Sequence, residues 1–202
     1  MTSDDMPDKK VNCAAKILMQ MANSRSCTLN LGERLEESQA MNSLETIHPY
    51  NEEIRHCFRK EEVLRYREPE RAFSYTAVDG HKSVVAPLKR RSGKPLKKIR
   101  HHDILKRNKP THFSLHCLVR DAASRLPGGV GTRDDVCVLA RDSQFIVEDI
   151  SDSQLNKAVR GGLDRLHNED DLCVKYEREK KKSRWTYLHR DRQGEDFEDN
   201  ST

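Results

Sequence analysis

The chain has 202 residues, 35% hydrophobic and 35% charged, with a formal net charge of +4. That balance supports one domain of ordinary size with flexible segments beside it and excludes a core running the whole length. No apolar run approaches the roughly 18 residues of a membrane span, and Asp4, Asp5 and Asp8 stand where a secretory or mitochondrial leader would be basic, so a soluble intracellular protein without membrane contact is expected.

Cys13, Cys27, Cys57, Cys117, Cys137 and Cys173 lie far apart and form no CxxC pair. This speaks against a disulfide framework or a cysteine-rich zinc module and for a reducing compartment. In chain order, residues 1–63 read as a weakly structured region, largely disordered or extended. Within it Val11, Ala14, Ala15, Leu18, Met19 and Ala22 fit one helical face, though so short a helix is marginal alone. Residues 64–110 read as an extended basic linker. From His81 to Pro110 eleven Lys and Arg stand against Asp103 alone, a net of +10, and such a run cannot bury enough apolar surface to order itself. Its centre, KRRSGKPLKKIR, sets Lys89, Arg90 and Arg91 apart from Lys97, Lys98 and Arg100. Two spaced basic clusters fit a nuclear localisation signal or an arm that contacts phosphate or histone; a plain solvated linker is the bland alternative.

The patterned region is 111–191, where fourteen basic residues balance fourteen acidic ones. Thr111 is a plausible cap, and Leu115, Leu118, Val119, Ala122 and Leu126 then recur at helical spacing until Pro127 and Gly128. Thr132 and Asp135 form a capping box ahead of Val136, Leu139 and Ala140, predicting a second helix to about Asp142. Ser151 and Gln154 form another, and Leu155, Val159, Gly162, Leu163 and Leu166 predict a third helix to about His167. Leu172, Val174 and Tyr176, then Trp185, Tyr187 and His189, alternate with polar residues on either side of EREKKKSR, a hairpin with a basic tip. Residues 192–202 read as an acidic disordered tail, with Glu195, Asp196, Glu198 and Asp199 against Arg192.

Three short helices followed by a β-hairpin wing is the winged-helix order, an α+β fold. It also explains RLPGGVGTRDD, residues 125–135, which has the glycines of a phosphate loop but no Gly-Lys pair. Gly129, Val130 and Gly131 are more simply a short first strand against the hairpin edge.

The stretches LVRDAASRLPGGVGTRDDVC (118–137), GGLDRLHNEDDLCVKYERE (161–179) and RWTYLHRDR (184–192) closely resemble the winged-helix-like domain of the nuclear factor related to kappa-B-binding protein family. A weaker likeness runs back through residues 65–90. The resemblance implies a nuclear, non-catalytic subunit of an INO-eighty-type ATP-dependent chromatin-remodelling complex, acting in transcription regulation and DNA repair or recombination, with other subunits as partners and no cofactor. The family's N-terminal segment, associated with a deubiquitinase partner, is not recognisable in Met1 to Lys60, so the resemblance does not carry that contact over. The family wing is less basic than EREKKKSR, which leaves contact with non-specific DNA or the nucleosome open.

Candidate site residues fall in two groups. Lys89, Arg90, Arg91, Lys97, Lys98 and Arg100 in the linker, with Lys180, Lys181, Lys182 and Arg184 on the wing, are the candidates for nucleic acid or histone; a charged tip that keeps a hairpin soluble is the equal alternative. Asn156, Lys157, Arg160, Gly161 and Asp164 on the third helix are the candidates for a partner protein. The carboxylates of Asp152 and Asp164 count against that helix as a reader of bases, although a DNA-binding regulator using linker, wing and third helix is the alternative function. Gly161-Gly162 inside a helix implies close packing by the wing, the first helix or a partner. His112 and His116 with Cys117 have metal-ligand spacing but too few companions for a site. No motif of a hydrolase, zinc protease or cysteine nucleophile is present, so no enzyme is expected.

If the two basic clusters import the protein, replacing Lys89, Arg90, Arg91, Lys97 and Lys98 by alanine should leave it cytoplasmic when imaged in cells lacking any complex that could carry it in. Unchanged nuclear accumulation there would refute the assignment.

Overall fold

Local caps and turns set the element boundaries. The computed structural model describes residues 52–88, 102–179 and 182–197. In chain order these form α1 (Glu52–Arg65), β1 (Phe73–Thr76), β2 (Lys82–Val85), α2 (Leu115–Ser124), β3 (Val130–Gly131), α3 (Arg133–Ala140), α4 (Asp152–His167), β4 (Val174–Glu179) and β5 (Lys182–Tyr187). Thr132 Oγ1 accepts from Asp135 N while the Asp135 carboxylate returns to the Thr132 backbone, and Ser151 and Gln154 do the same for α4, so both expected capping boxes form. The start of α2 differs from expectation. Its cap is Ser114, whose Oγ accepts from Cys117 N at 3.2 Å, because residues 110–113 are spent on a turn closed by Phe113 N to Pro110 O at 3.0 Å.

Gly128 and Gly129, at φ +61 and +75, turn the chain out of α2 into β3, a backbone region that costs glycine little. The three-stranded sheet has order β3-β5-β4, all antiparallel, with Val130 opposite Thr186 and Gly131 opposite Trp185. The winged-helix α+β fold is therefore present: α2, α3 and α4 share one core with the wing, and Val119, Val136, Val159, Leu163 and Val174 are fully buried in it.

That core does not stop at residue 111. Helix α1 packs on it through Arg55, Phe58, Arg59, Glu62 and Arg65, which recur at helical spacing, and Tyr66 just past its end joins them. Phe58 lies under the Arg125 guanidinium, 3.8 Å from ring centroid to Cζ. Arg125 is itself fully buried and donates to Asp142 Oδ2 at 3.0 Å. Glu62 accepts from the Ser143 hydroxyl and from Gln144 N. Asp121 Oδ2, on α2, accepts from Arg65 Nε, Tyr66 OH and Tyr75 OH at 3.2, 2.8 and 3.0 Å. Strands β1 and β2 pair as an antiparallel hairpin that is held to the wing by Tyr187 OH donating to Val84 O at 2.8 Å and Val84 N donating to Arg190 O at 3.0 Å.

The reading of 64–110 as an extended linker is thus corrected over most of its length. Residues 73–85 form the β1–β2 hairpin, and the other end pairs with a later loop, Lys106 N donating to Phe145 O and Val147 N to Ile104 O. A boundary at residue 63 or 111 would cut through α1 or strip Asp121 of its donors, leaving a buried carboxylate uncompensated. The +10 stretch concealed this because its charges cluster in 89–101, outside the described residues, as do 1–51 and 198–202 with their expected disorder. The acidic tail begins with a 3-10 turn at Gly194–Phe197, where Phe197 packs on the His189 ring at 5.4 Å. Cys117, Cys137 and Cys173 are free thiols. Cys57, on α1, is disulfide-bonded, correcting the unpaired reading at that position, since sequence spacing does not show which thiols a fold brings together.

Burial raises the Glu62 pKa from 4.5 to about 7, against the opposing hydrogen bonds from Ser143 and Gln144. The folded state therefore holds a proton that the unfolded chain releases. This group favours folding most below pH about 4.5, and the advantage is lost as pH rises through about 7, a swing of about 3 kcal/mol. In denaturant titrations, the stability of wild type relative to Glu62→Gln should accordingly fall between pH 5 and pH 8. A difference independent of pH would show that Glu62 is not buried as described.

Candidate partner-binding face

The face begins with how α4 is seated. Leu155, Ala158, Val159, Gly162, Leu163 and Leu166 are its buried stripe. A Cβ on Gly162 would stand 2.6 Å from Val119 Cγ2, so this glycine permits the close crossing of α4 over α2. Gly161 is exposed, and a Cβ there would meet nothing within 4 Å. Of the two helical glycines, then, one serves packing and one is left on the surface.

The opposite face carries Lys157, Arg160 and Asp164, exposed, and Asn156, half-buried. Asn156 Nδ2 donates to Asp134 Oδ1 at 3.1 Å, tying α4 to the first turn of α3. Asp152 is ion-paired with Arg141. Two adjoining hollows share Arg133 and Arg160. The first, about 480 Å³, is completed by Asp152, Ser153, Asn156 and Lys157. The second, about 610 Å³, runs between α4 and the wing and includes Asp164, His167, Tyr176, Ser183 and Trp185. Trp185 is buried, its ring packed at a tilt 5.1 Å from that of Tyr176, which is 40% exposed and hydrogen-bonded through its hydroxyl to Ser183. Trp185 is therefore first a core residue, with its neighbour forming the groove wall.

The structure brings Asn156, Lys157, Arg160 and Asp164 together with Arg133, which sequence reasoning missed. A signal was available. Arg133 opens α3, where the helix dipole disfavours a cation. Gly161 lies on the same face. Arg184 does not join them: it alternates with Trp185 along β5, pairs in register with Glu177 and is half-buried on the other side of the hairpin. Lys89, Arg90, Arg91, Lys97, Lys98, Arg100, Lys180 and Lys181 lie outside the described residues; Lys182 opens β5. His116 Nε2 sits 3.1 Å from Glu169 Oε1, and Cys117 Sγ receives the Ser114 hydroxyl, so the residues with metal spacing turn to separate neighbours. Burial pushes the Cys137 thiol up to about 11 and the Cys173 thiol up to about 12, so neither offers a thiolate at neutral pH.

The sequence model described as the NFRKB second winged helix domain matches residues 54–195. The chain belongs to that family. It is 45% identical over 154 residues to the nuclear factor related to kappa-B-binding protein of Xenopus tropicalis, an alignment covering 75% of this chain and 12% of that protein. This chain therefore corresponds to a small part of its relative's length. No solved structure matches it. The family match starts inside α1 and ends in the 3-10 turn after the wing, so the NFRKB-type winged-helix unit takes in α1 and the β1–β2 hairpin that the packing already joins to it.

The two adjacent glycines of α4 should respond oppositely to substitution in a thermal or denaturant unfolding experiment. Gly161→Ala should stabilise by about 0.5 to 1 kcal/mol, the difference in helix propensity. Gly162→Ala should destabilise by about 1 to 3 kcal/mol through overpacking on Val119. Equal effects of the two would contradict the described seating of α4.

Proposed function

We propose that the chain is a non-catalytic interaction subunit of an INO-eighty-type ATP-dependent chromatin-remodelling assembly. It acts in the nucleus in transcription regulation and in DNA repair or recombination, with its winged-helix unit as a protein-binding module. The match to the NFRKB family over residues 54–195 carries the reading, because the sequence resemblance implies that assembly for the family. The α4 face supports it. A helix that reads bases in the major groove needs free donors for the base edges and no carboxylate turned toward the phosphates. Here Asn156 is already engaged with Asp134, and the Asp164 carboxylate stands in the groove.

The +10 segment favours a second, lesser activity: weak duplex binding without sequence preference, since cations release counterions whichever bases lie between the phosphates. The segment to be tested is shorter than the whole run, because Lys82 in β2 and Lys106 beside the Leu105–Ile146 bridge are ion-paired with Glu61 and Glu148.

Affinity purification of the tagged chain from nuclear extract should recover a remodelling ATPase and actin-related subunits; their absence would overturn the reading. In parallel, binding to random-sequence duplex should drop by on the order of 10³ between about 50 and about 200 mM salt if some six phosphates are contacted. Deleting residues 89–101 should abolish most of it, while Arg160→Ala should change it little. A strong preference for one DNA sequence that Arg160→Ala removes would instead make α4 a recognition helix and the protein a DNA-binding regulator.

A further inference from the structure

We infer that the groove bounded by α3, α4 and the wing is the seat of an acidic segment of a partner protein, anchored by one aromatic or branched apolar side chain. This deepens the protein-binding reading and rests on it. Arg133, Lys157 and Arg160 line the two adjoining hollows. None of them has an ion-pair or hydrogen-bond partner among the described residues, and Arg133 Nε is withdrawn from solvent without a hydrogen-bond partner. Of the carboxylates beside them, Asp152 is ion-paired with Arg141, whereas Asp134 keeps its charge while it accepts from the neutral amide of Asn156. Asp134 and Asp164 are left against three cations. The lining thus keeps one net positive charge in two joined concavities, and the second has a size usual for ligand sites, about 300–1,000 Å³.

Two local costs fall on this same face. Arg133 occupies a first turn that favours acids. Gly161 sits in mid-helix with open space around it, where alanine would be better by about 1 kcal/mol. Positions that break local rules without internal compensation mark functional surface. A glycine here removes the side chain that would hold an approaching backbone away from Lys157 and Arg160.

The wall chooses between occupants. The exposed ring of Tyr176 beside Trp185 offers apolar surface, which a phosphodiester backbone cannot use and a Phe or Leu can. Asp164 lines the same hollow as Arg160 and the wing residues and would repel an evenly charged DNA backbone. A peptide, whose carboxylates are discrete, can set them on Arg133, Lys157 and Arg160 and leave the place opposite Asp164 neutral.

The test uses the full chain and a fluorescein-labelled peptide of Glu and Asp residues around a single Phe, read by fluorescence anisotropy. Arg160→Glu should weaken binding about tenfold, and Arg133→Glu, Lys157→Glu and Arg160→Glu together about a hundredfold. Arg67→Glu, an equal charge change on exposed surface beyond α1, should leave it unchanged. The triple variant should instead bind the counterpart peptide with Lys in place of Glu and Asp, a rescue that an unfolded variant would not show. Absence of binding by the acidic peptide, or equal loss with Arg67→Glu, would overturn the inference. So would random-sequence duplex that displaces the peptide and loses affinity with Arg160→Glu, for the groove would then belong to nucleic acid. Recovery of the remodelling assembly by the wild-type chain without peptide binding would refute the groove and spare the proposed function. Peptide binding without recovery of the assembly would do the reverse.

Discussion

Asp121 is the constraint on which the rest of this fold hangs. Its Oδ2 receives donors from the end of α1, through Arg65 and Tyr66, and from β1, through Tyr75, while Arg65 reaches on to Ala86 O beyond β2. The carboxylate and the guanidinium are 2% and 1% exposed. Taking such a pair out of water costs several kcal/mol per ion, which attraction and hydrogen bonds must offset, and losing one partner leaves the other charge buried alone. The segment from 52 to 88 and the three-helix body are therefore mutually dependent. The two phenols on the same oxygen share its charge, and burial holds both of their pKa values well above the ordinary tyrosine range.

The same logic repeats along α1 and gives the unit its rigidity. Arg125 buries its charge between Phe58 and Asp142, and Glu62 meets the loop that follows α3. These buried polar contacts fix direction as well as energy, since a hydrogen bond left unmade there is costly. With α1 and the β1–β2 hairpin locked behind α2, α4 lies across α2 with its outer face toward solvent. The groove beside the wing is consequently built on rigid elements from three parts of the chain, as a surface that positions a partner needs to be. That face has a mixed character, and its carboxylates are mostly engaged by neighbours. It therefore suits a partner with its own pattern of charges better than it suits a uniform polyanion.

How much of this was legible depends on which residues did the signalling. Thr132 with Asp135 and Ser151 with Gln154 announced α3 and α4 through short-range hydrogen bonds, which a sequence states outright. The alternation about Trp185 and Tyr187 announced the wing in the same way, and the family resemblance over 118–192 agreed with both. Helix α1 was invisible to that reasoning because, of the residues it buries, Glu62 and Arg65 are charged and only Phe58 is apolar. A periodicity sought in apolar residues passes over a helix docked by salt bridges. Thr111 read as the cap of α2, and the turn that buries Phe113 moves the cap to Ser114.

What the sequence by itself determined was therefore local: caps, turns, strand alternation and the family to which those motifs belong. Such features depend on residues a few positions apart, so their energies are set before any tertiary contact exists. The tertiary structure alone decided that Arg65, Tyr66 and Tyr75 converge on Asp121, that Gly162 serves packing while Gly161 stays exposed, and that Arg133 stands with Lys157 and Arg160 while Arg184 faces away. Each of these joins residues from separate elements, and a charged side chain reads the same in sequence whether it will be solvated, paired in the core or left waiting in a groove.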